Sequence, residues 1–216
     1  MKTPIISAKY FIPGIASVAL LTIAAIAMHF LKGNLAGISS PLFLILLVLV
    51  FVLFTENQTR MEIRFQILVF VVGTGFFIVA ERTGKPLGEI SFGEALGPNL
   101  GQVPILAGLL WLIPVLFSFS FTERISPSIY LRSFIAGILT LIPAFFLCAN
   151  APFLDFMSWD IADPSLLSYF SWFIGGFLFH FAGLQMQIEL KNPLANSLYL
   201  SWLCFHVIIF FARIIH

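Results

Sequence analysis

The sequence predicts an all-α integral membrane protein: a bundle of about seven transmembrane helices with a Gly/Pro-rich cap or re-entrant segment, forming a single domain over residues 1–216. Three observations predict it. Apolar and aromatic residues make up 60% of the 216 residues and charged residues only 10%, with a strongly positive mean hydropathy, a composition that no water-exposed surface tolerates. Seven apolar runs approach the roughly 20 residues that a hydrocarbon core about 30 Å thick demands of a helix. Between the third and fourth runs lies AERTGKPLGEISFGEALGPNLGQVP, residues 80–104, with five glycines, three prolines and three glutamates.

The runs cover approximately 11–31, 38–54, 63–80, 103–121, 130–149, 166–186 and 195–215, each bounded by charge, Gly or Pro. The first, behind Lys2 and Lys9, imitates a secretory signal and ends in AIA, but its apolar length exceeds a typical signal core and it reads as a retained span. The second is short, and Pro41 reads as opening its helix at the first turn. Short connections place successive loops on alternate faces. Lys2, Lys9, Arg60, Arg64, Arg124, Arg132 and Lys191 then share the N-terminal face, against Lys32, Arg82, Lys85 and Arg213 on the other, which predicts a cytoplasmic N-terminus. A net charge of +1 from scattered cations leaves no basic field for nucleic acid. Cys148 and Cys204 lie inside apolar runs without CxxC spacing and read as small core residues.

The acids divide unevenly. Glu81, Glu89, Glu94, Asp155, Asp160 and Asp163 all fall on the far face, in the quoted segment and in NAPFLDFMSWDIADPS after the fifth run, so both connectors are expected on one side. Irregular backbone at membrane depth survives only where protein buries it or where it lines a polar cavity. Gly84, Gly88, Gly93, Gly97 and Gly101 alternate with Pro86, Pro98 and Pro104, so residues 82–102 are expected to fold as a cap or to re-enter the membrane, against the plainer alternative of an extramembrane loop. Glu81 follows FVVGTGFFIVA with no polar buffer. It is expected either to face a cavity as a partly neutral proton donor or to pair with Arg82 or Lys85 in headgroup water. Asp163, before Pro164 and Ser165, reads as a helix N-cap, whereas Asp155 and Asp160 have no such local duty and are candidates for a polar site.

Aromatic residues reach 16%, with Trp111, Trp159, Trp172 and Trp202 in the later half. Anchoring and core packing are their ordinary uses, while a ring-lined tunnel for a polyene, with cation–π stabilisation of a carbocation, is the functional variant. His180 and His206 raise a bis-histidine haem. Counted from the connection between their helices, their depths differ by roughly 8 Å, which argues against one shared iron, and both read as satisfied polar residues within the bundle. No metal or other cofactor is expected, and HExxH, GxSxG, Walker and CxxCH motifs are absent from the sequence.

Glu81, Gly84, Pro86, Gly88, Leu96-Gly97-Pro98, Val103-Pro104 and Trp111 together resemble the central signature of the membrane carotenoid-biosynthesis family that includes the carotenoid 1',2'-hydratases. Asp155, Pro164, Trp172, Pro193, Asn196 and Trp202 resemble its second signature, so the likeness covers about residues 65–205. Two departures stand out. Ile90 and Phe92 occupy the places of a Tyr-x-Tyr pair, and Phe170 the first place of a W-x-W element, with two spacings longer by about two residues.

The resemblance implies a hydratase, bound in a bacterial or archaeal cytoplasmic membrane, that adds water across the terminal 1',2' double bond of an acyclic ψ-end. Its substrate is a carotenoid among membrane lipid, and no cofactor takes part. A carboxylic acid protonates C2', a tertiary cation forms at C1', and a positioned water attacks. The implied roles are Glu81 as proton donor and Asp155 or Asp160 as base or cation stabiliser. Trp111 and Trp172 line the cavity, and Phe92, Trp159 and Asn196 complete the substrate-facing set. Two rivals are end-group cyclisation on the same scaffold, which is isomeric and adds no water, and a non-enzymatic carotenoid- or lipid-binding subunit.

Overall fold

A helix that is apolar all round belongs in an interior, and the fourth run has no polar face. The computed structural model describes residues 11–30, 35–56, 58–123, 125, 127–160 and 164–215, with 29 and 35–40 described by their backbone alone. In it α4 (Leu109–Thr122) follows a 3₁₀ turn at Ile105–Gly108 and is buried continuously from Leu109 to Ser120. Packed around it are α2 (Leu35–Phe54), α3 (Arg60–Thr83), α5 (Ile129–Asn150), α6 (Leu166–Gln185) and α7 (Ala195–Ile215), while α1 (Phe11–Phe30) sits outside against α2 and α7.

Among the described residues six segments are long and apolar enough to cross a membrane: α1, α3, the 3₁₀ turn with α4, α5, α6 and α7. The outward faces are aliphatic, with Leu20 and Ile23 of α1, Leu68 and Val71 of α3 and Leu178 of α6 all exposed. Such faces fit lipid rather than water. The protein is therefore a helical integral membrane protein.

Local chemistry sets the helix ends. Thr59 Oγ1 accepts from the Glu62 N–H at 3.2 Å and Glu62 Oε2 accepts from the Thr59 N–H at 2.6 Å, a reciprocal cap that starts α3 three residues before its apolar run. Gly84, at φ 67°, ends it by donating to Ala80 O at 2.8 Å. Ser165, whose side chain accepts from the Ser168 N–H, caps α6, a duty expected near Asp163, which lies outside the described residues. Two further expectations are corrected. Pro41 lies inside α2, beyond its first turn, because the helix begins at Leu35. Residues 103 and 104 belong to a strand, and α4 starts only after the 3₁₀ turn.

Close helix packing falls where side chains vanish. A Cβ on Gly137 would come within 2.8 Å of the Phe173 ring, and one on Gly176 would strike the Thr140 side chain, so α5 and α6 touch almost backbone to backbone. At the end of the bundle holding the α6–α7 connection, Asn192 ties three elements together. Its Nδ2 donates to Phe51 O (2.6 Å) and Thr55 Oγ1 (3.2 Å), its N–H donates to Ser120 Oγ (3.2 Å), and its Oδ1 accepts from the Leu194 N–H (2.8 Å). Asn196, by contrast, is exposed on the first turn of α7. Asn192→Ala is expected to destabilise the protein by about 1–3 kcal/mol, the cost of leaving buried polar groups unpaired, and Asn196→Ala by no more than about 0.5 kcal/mol. Thermal unfolding in detergent, followed by tryptophan fluorescence, checks both.

Candidate functional site

The two acidic connectors meet. Strand β1 (Ile90–Phe92) pairs antiparallel with β4 (Met157–Trp159) in the register Ile90 to Trp159 and Phe92 to Met157, and β2 (Asn99–Leu100) turns back on β3 (Val103–Pro104). The Asp160 N–H donates to Glu89 O at 3.1 Å and the Gly93 N–H to Phe156 O at 3.2 Å, which extends the join beyond the strands. Leu87 O receives both the Trp159 indole N–H (2.8 Å) and the Ser168 hydroxyl (2.7 Å), tying the Gly-rich connector to the start of α6.

Beside this junction a groove opens between α3 and α6, with a volume of about 470 Å³. Leu68, Val72 and Phe76 form one wall, each a turn apart on α3, and α6 supplies the other from Phe170 through Ile174 to Leu178. Trp111 of α4 is the floor and Pro86 closes the connector end. Several wall residues, among them Val72, Phe170 and Leu178, are also exposed on the outer surface, so the groove opens sideways, toward lipid in a bilayer.

Trp111 is wedged into place from both sides. A Cβ on Gly73 of α3 would come within 2.8 Å of its Cβ, and one on Gly175 of α6 would collide with the far carbons of its indole. Its ring stacks on Trp172 at 4.1 Å and 24°, and Phe76 and Phe179 meet it edge-on at 5.1 and 5.7 Å. Phe77 joins Trp172 (6.0 Å) to Phe92 (5.6 Å), carrying the aromatic cluster from the groove floor to β1. Each ring pair contributes about 0.5–1.5 kcal/mol beyond the burial of its area.

The expected site residues separate into two groups. Trp111, Trp172 and Phe92 fall in the aromatic cluster, with Trp111 on the groove itself. Trp159 is half-buried and serves the connector, and Asn196 lies far along the chain from either. Asp155 turns out to be a staple: at φ 55° its Oδ2 accepts from the Glu94 N–H at 2.9 Å, its carbonyl accepts from the Ala95 N–H at 3.3 Å, and its carboxylate fills the space that a Cβ on Gly93 would need. Asp160 is exposed and contributes a backbone bond. Glu81 is half-buried at the connector end of α3, one turn beyond Phe77, with no ion pair to Arg82 or Lys85. None of the three carboxylates lines the groove.

The histidines also divide. His180 is held by Thr122 Oγ1 on Nε2 (2.9 Å) and Ser118 Oγ on Nδ1 (3.4 Å), a satisfied polar residue between α4 and α6. His206 differs from expectation. Its ring is buried edge-on against Trp202 and Phe205, and neither nitrogen has a partner among the described residues.

No family model, curated protein or solved structure matches the chain. Sequence reasoning does not single out three residues that matter to the groove: Gly73, Gly175 and Ser171. The glycines were detectable as small residues inside apolar helices, the usual mark of close approach in membranes, whereas nothing distinguishes Ser171 from the other hydroxyls of α6. Gly175→Ala is expected to push Trp111 off Trp172, diminishing the near-ultraviolet circular dichroism of the stacked indoles at a cost of about 1–3 kcal/mol. Gly75, whose added Cβ would meet nothing within 4 Å, is the control; Gly75→Ala is expected to leave the spectrum unchanged and stability equal or raised by up to about 1 kcal/mol.

Proposed function

We propose that the protein is a seven-span membrane enzyme that seats one carotenoid along the α3/α6 groove and hydrates the 1',2' double bond of its ψ-end. On this reading α2 is the seventh span, the paired connectors cap one face, and the N-terminus is cytoplasmic. The observation that carries it is the groove: sideways-open, almost wholly apolar, and floored by Trp111, which is itself stacked on Trp172. That form suits a rigid polyene arriving from the bilayer.

The acid is Glu81. It stands at the connector end of α3, one turn beyond Phe77, whose ring meets Phe92, and on this reading the polyene end emerges toward it past Pro86. Its carboxyl proton goes to C2', the C1'–C2' π pair forms the new C–H bond, and the tertiary cation at C1' lies against aromatic faces. Water from the connector face then forms the C–O bond, and its surplus proton returns to the Glu81 carboxylate. Asp155 holds Glu94 and Ala95 in place and Asp160 holds the connector edge, so neither is needed for proton transfer.

Binding without chemistry is the second reading, and the absence of any described carboxylate from the groove lining favours it. Expression in a lycopene-producing bacterium separates the two. Hydration is expected to yield pigment heavier by one water, and Glu81→Gln to reduce that product about 10²-fold or more. Pigment that copurifies at unchanged mass supports binding alone, and unchanged product from Glu81→Gln removes the proton donor.

A further inference from the structure

We infer that the groove selects its ligand by the hydrogen-bonding character of the inserted end, admitting a bare hydrocarbon or an alcohol and refusing a carbonyl or carboxylate. The inference rests on the reading of the groove as the polyene site and adds a substrate class to it.

The argument is an inventory of hydrogen-bonding groups. Ser171 is the one hydroxyl side chain on the lining. Its proton is already committed, because Oγ donates to Leu167 O at 2.7 Å, one turn back on α6. A serine hydroxyl has one donor and two lone pairs, so what remains for a ligand is an acceptor alone. The Trp111 indole N–H, the other candidate donor, has no partner among the described residues but is buried with no accessible surface, so a ligand does not reach it without moving the ring. Pro86, at the connector end, has no backbone N–H to give. The walls are helix interiors whose amides are spent on their own carbonyls.

A ligand oxygen that only accepts would therefore leave water and find no donor, the more expensive way to bury a polar group. An alcohol would hand its proton to Ser171 Oγ, and a hydrocarbon asks for nothing. Ser171 lies five residues into α6, about 8 Å from its connector end, among the apolar walls and away from the connector's polar groups.

The test is competitive loading. Purified protein in detergent is incubated with equal amounts of squalene, geranylgeraniol, geranylgeranial and geranylgeranoic acid, and the retained ligands are counted by mass spectrometry. Geranylgeraniol is expected to exceed geranylgeranial by about tenfold or more, the ratio that follows from one unpaired buried acceptor, with geranylgeranoic acid lowest. Ser171→Ala is expected to bring the alcohol down to the level of the aldehyde while leaving squalene unchanged. Equal retention of aldehyde and alcohol, or an alcohol preference that survives Ser171→Ala, would overturn the inference. Val72→Trp, placed on an exposed wall residue, fills the groove without entering the core. It is expected to abolish retention of every ligand; full retention there would instead refute the groove as the binding site, a failure of the functional reading that is separable from a failure of the Ser171 selectivity.

Discussion

The seating of Trp111 is the constraint on which the rest of the structure depends. Its indole occupies the space between α3 and α6 because both helices put glycine there, Gly73 on one side and Gly175 on the other. With side chains at those positions the helices would stand farther off, and the ring would lose its stack on Trp172. The cavity is thus the space beside a large rigid ring that stands between two helices.

Lipid offers no hydrophobic drive between helices, so association depends on close packing and on polar groups that satisfy one another. The protein applies the two at different depths. Mid-membrane contact comes from Gly137, Gly176 and the aromatic cluster. Polar staples sit at the two ends, with Asn192 joining α2, α4 and the start of α7 at one face, and the β1–β4 pairing with Asp155 and the Leu87 carbonyl joining the connectors at the other. Arg213 adds a tie on the connector face by donating to Ala149 O at 2.6 Å. Carboxylates and amides spent on architecture are lost to chemistry. For that reason the proposed reading takes Glu81, whose carboxylate has no hydrogen-bond or ion-pair partner among the described residues, over Asp155, whose carboxylate is engaged by the Glu94 N–H.

Run length and composition made the membrane class legible in the sequence, because bilayer thickness imposes a scale on apolar runs; of the seven runs expected to span, six are long and apolar enough to do so among the described residues. The meeting of the two acidic connectors was legible too, since alternate loops must share a face. What remained hidden is instructive in each case. The start of α3 at Arg60 depends on a reciprocal hydrogen bond between Thr59 and Glu62, which hydropathy does not register. Asp155 looked idle because its partner, the Glu94 N–H, is 61 residues away along the chain. Asn192 and Asn196 are separated by one helical turn and are alike in composition, yet only the register of the α6–α7 connection decides which one is buried. Ser171 acquires meaning only once α3 stands opposite it.

The groove's dryness also decides where any acid–base chemistry takes place. A carboxyl deep among Leu68, Ile174 and Leu178 would be neutral and able to donate, but its conjugate base would be stranded in hydrocarbon and no water would reach the cation it created. At the connector end both requirements are met together. On the proposed reading the polyene end leaves its apolar walls at Pro86, aromatic faces continue through Phe77 to Phe92, and the adjoining connector, with Arg82, Lys85 and Glu89 exposed, supplies the polar surroundings. Glu81 is half-buried at that boundary. On the proposed reading, an acid at this boundary stands between the apolar groove and the polar connector, a placement that a position deeper on α3 lacks.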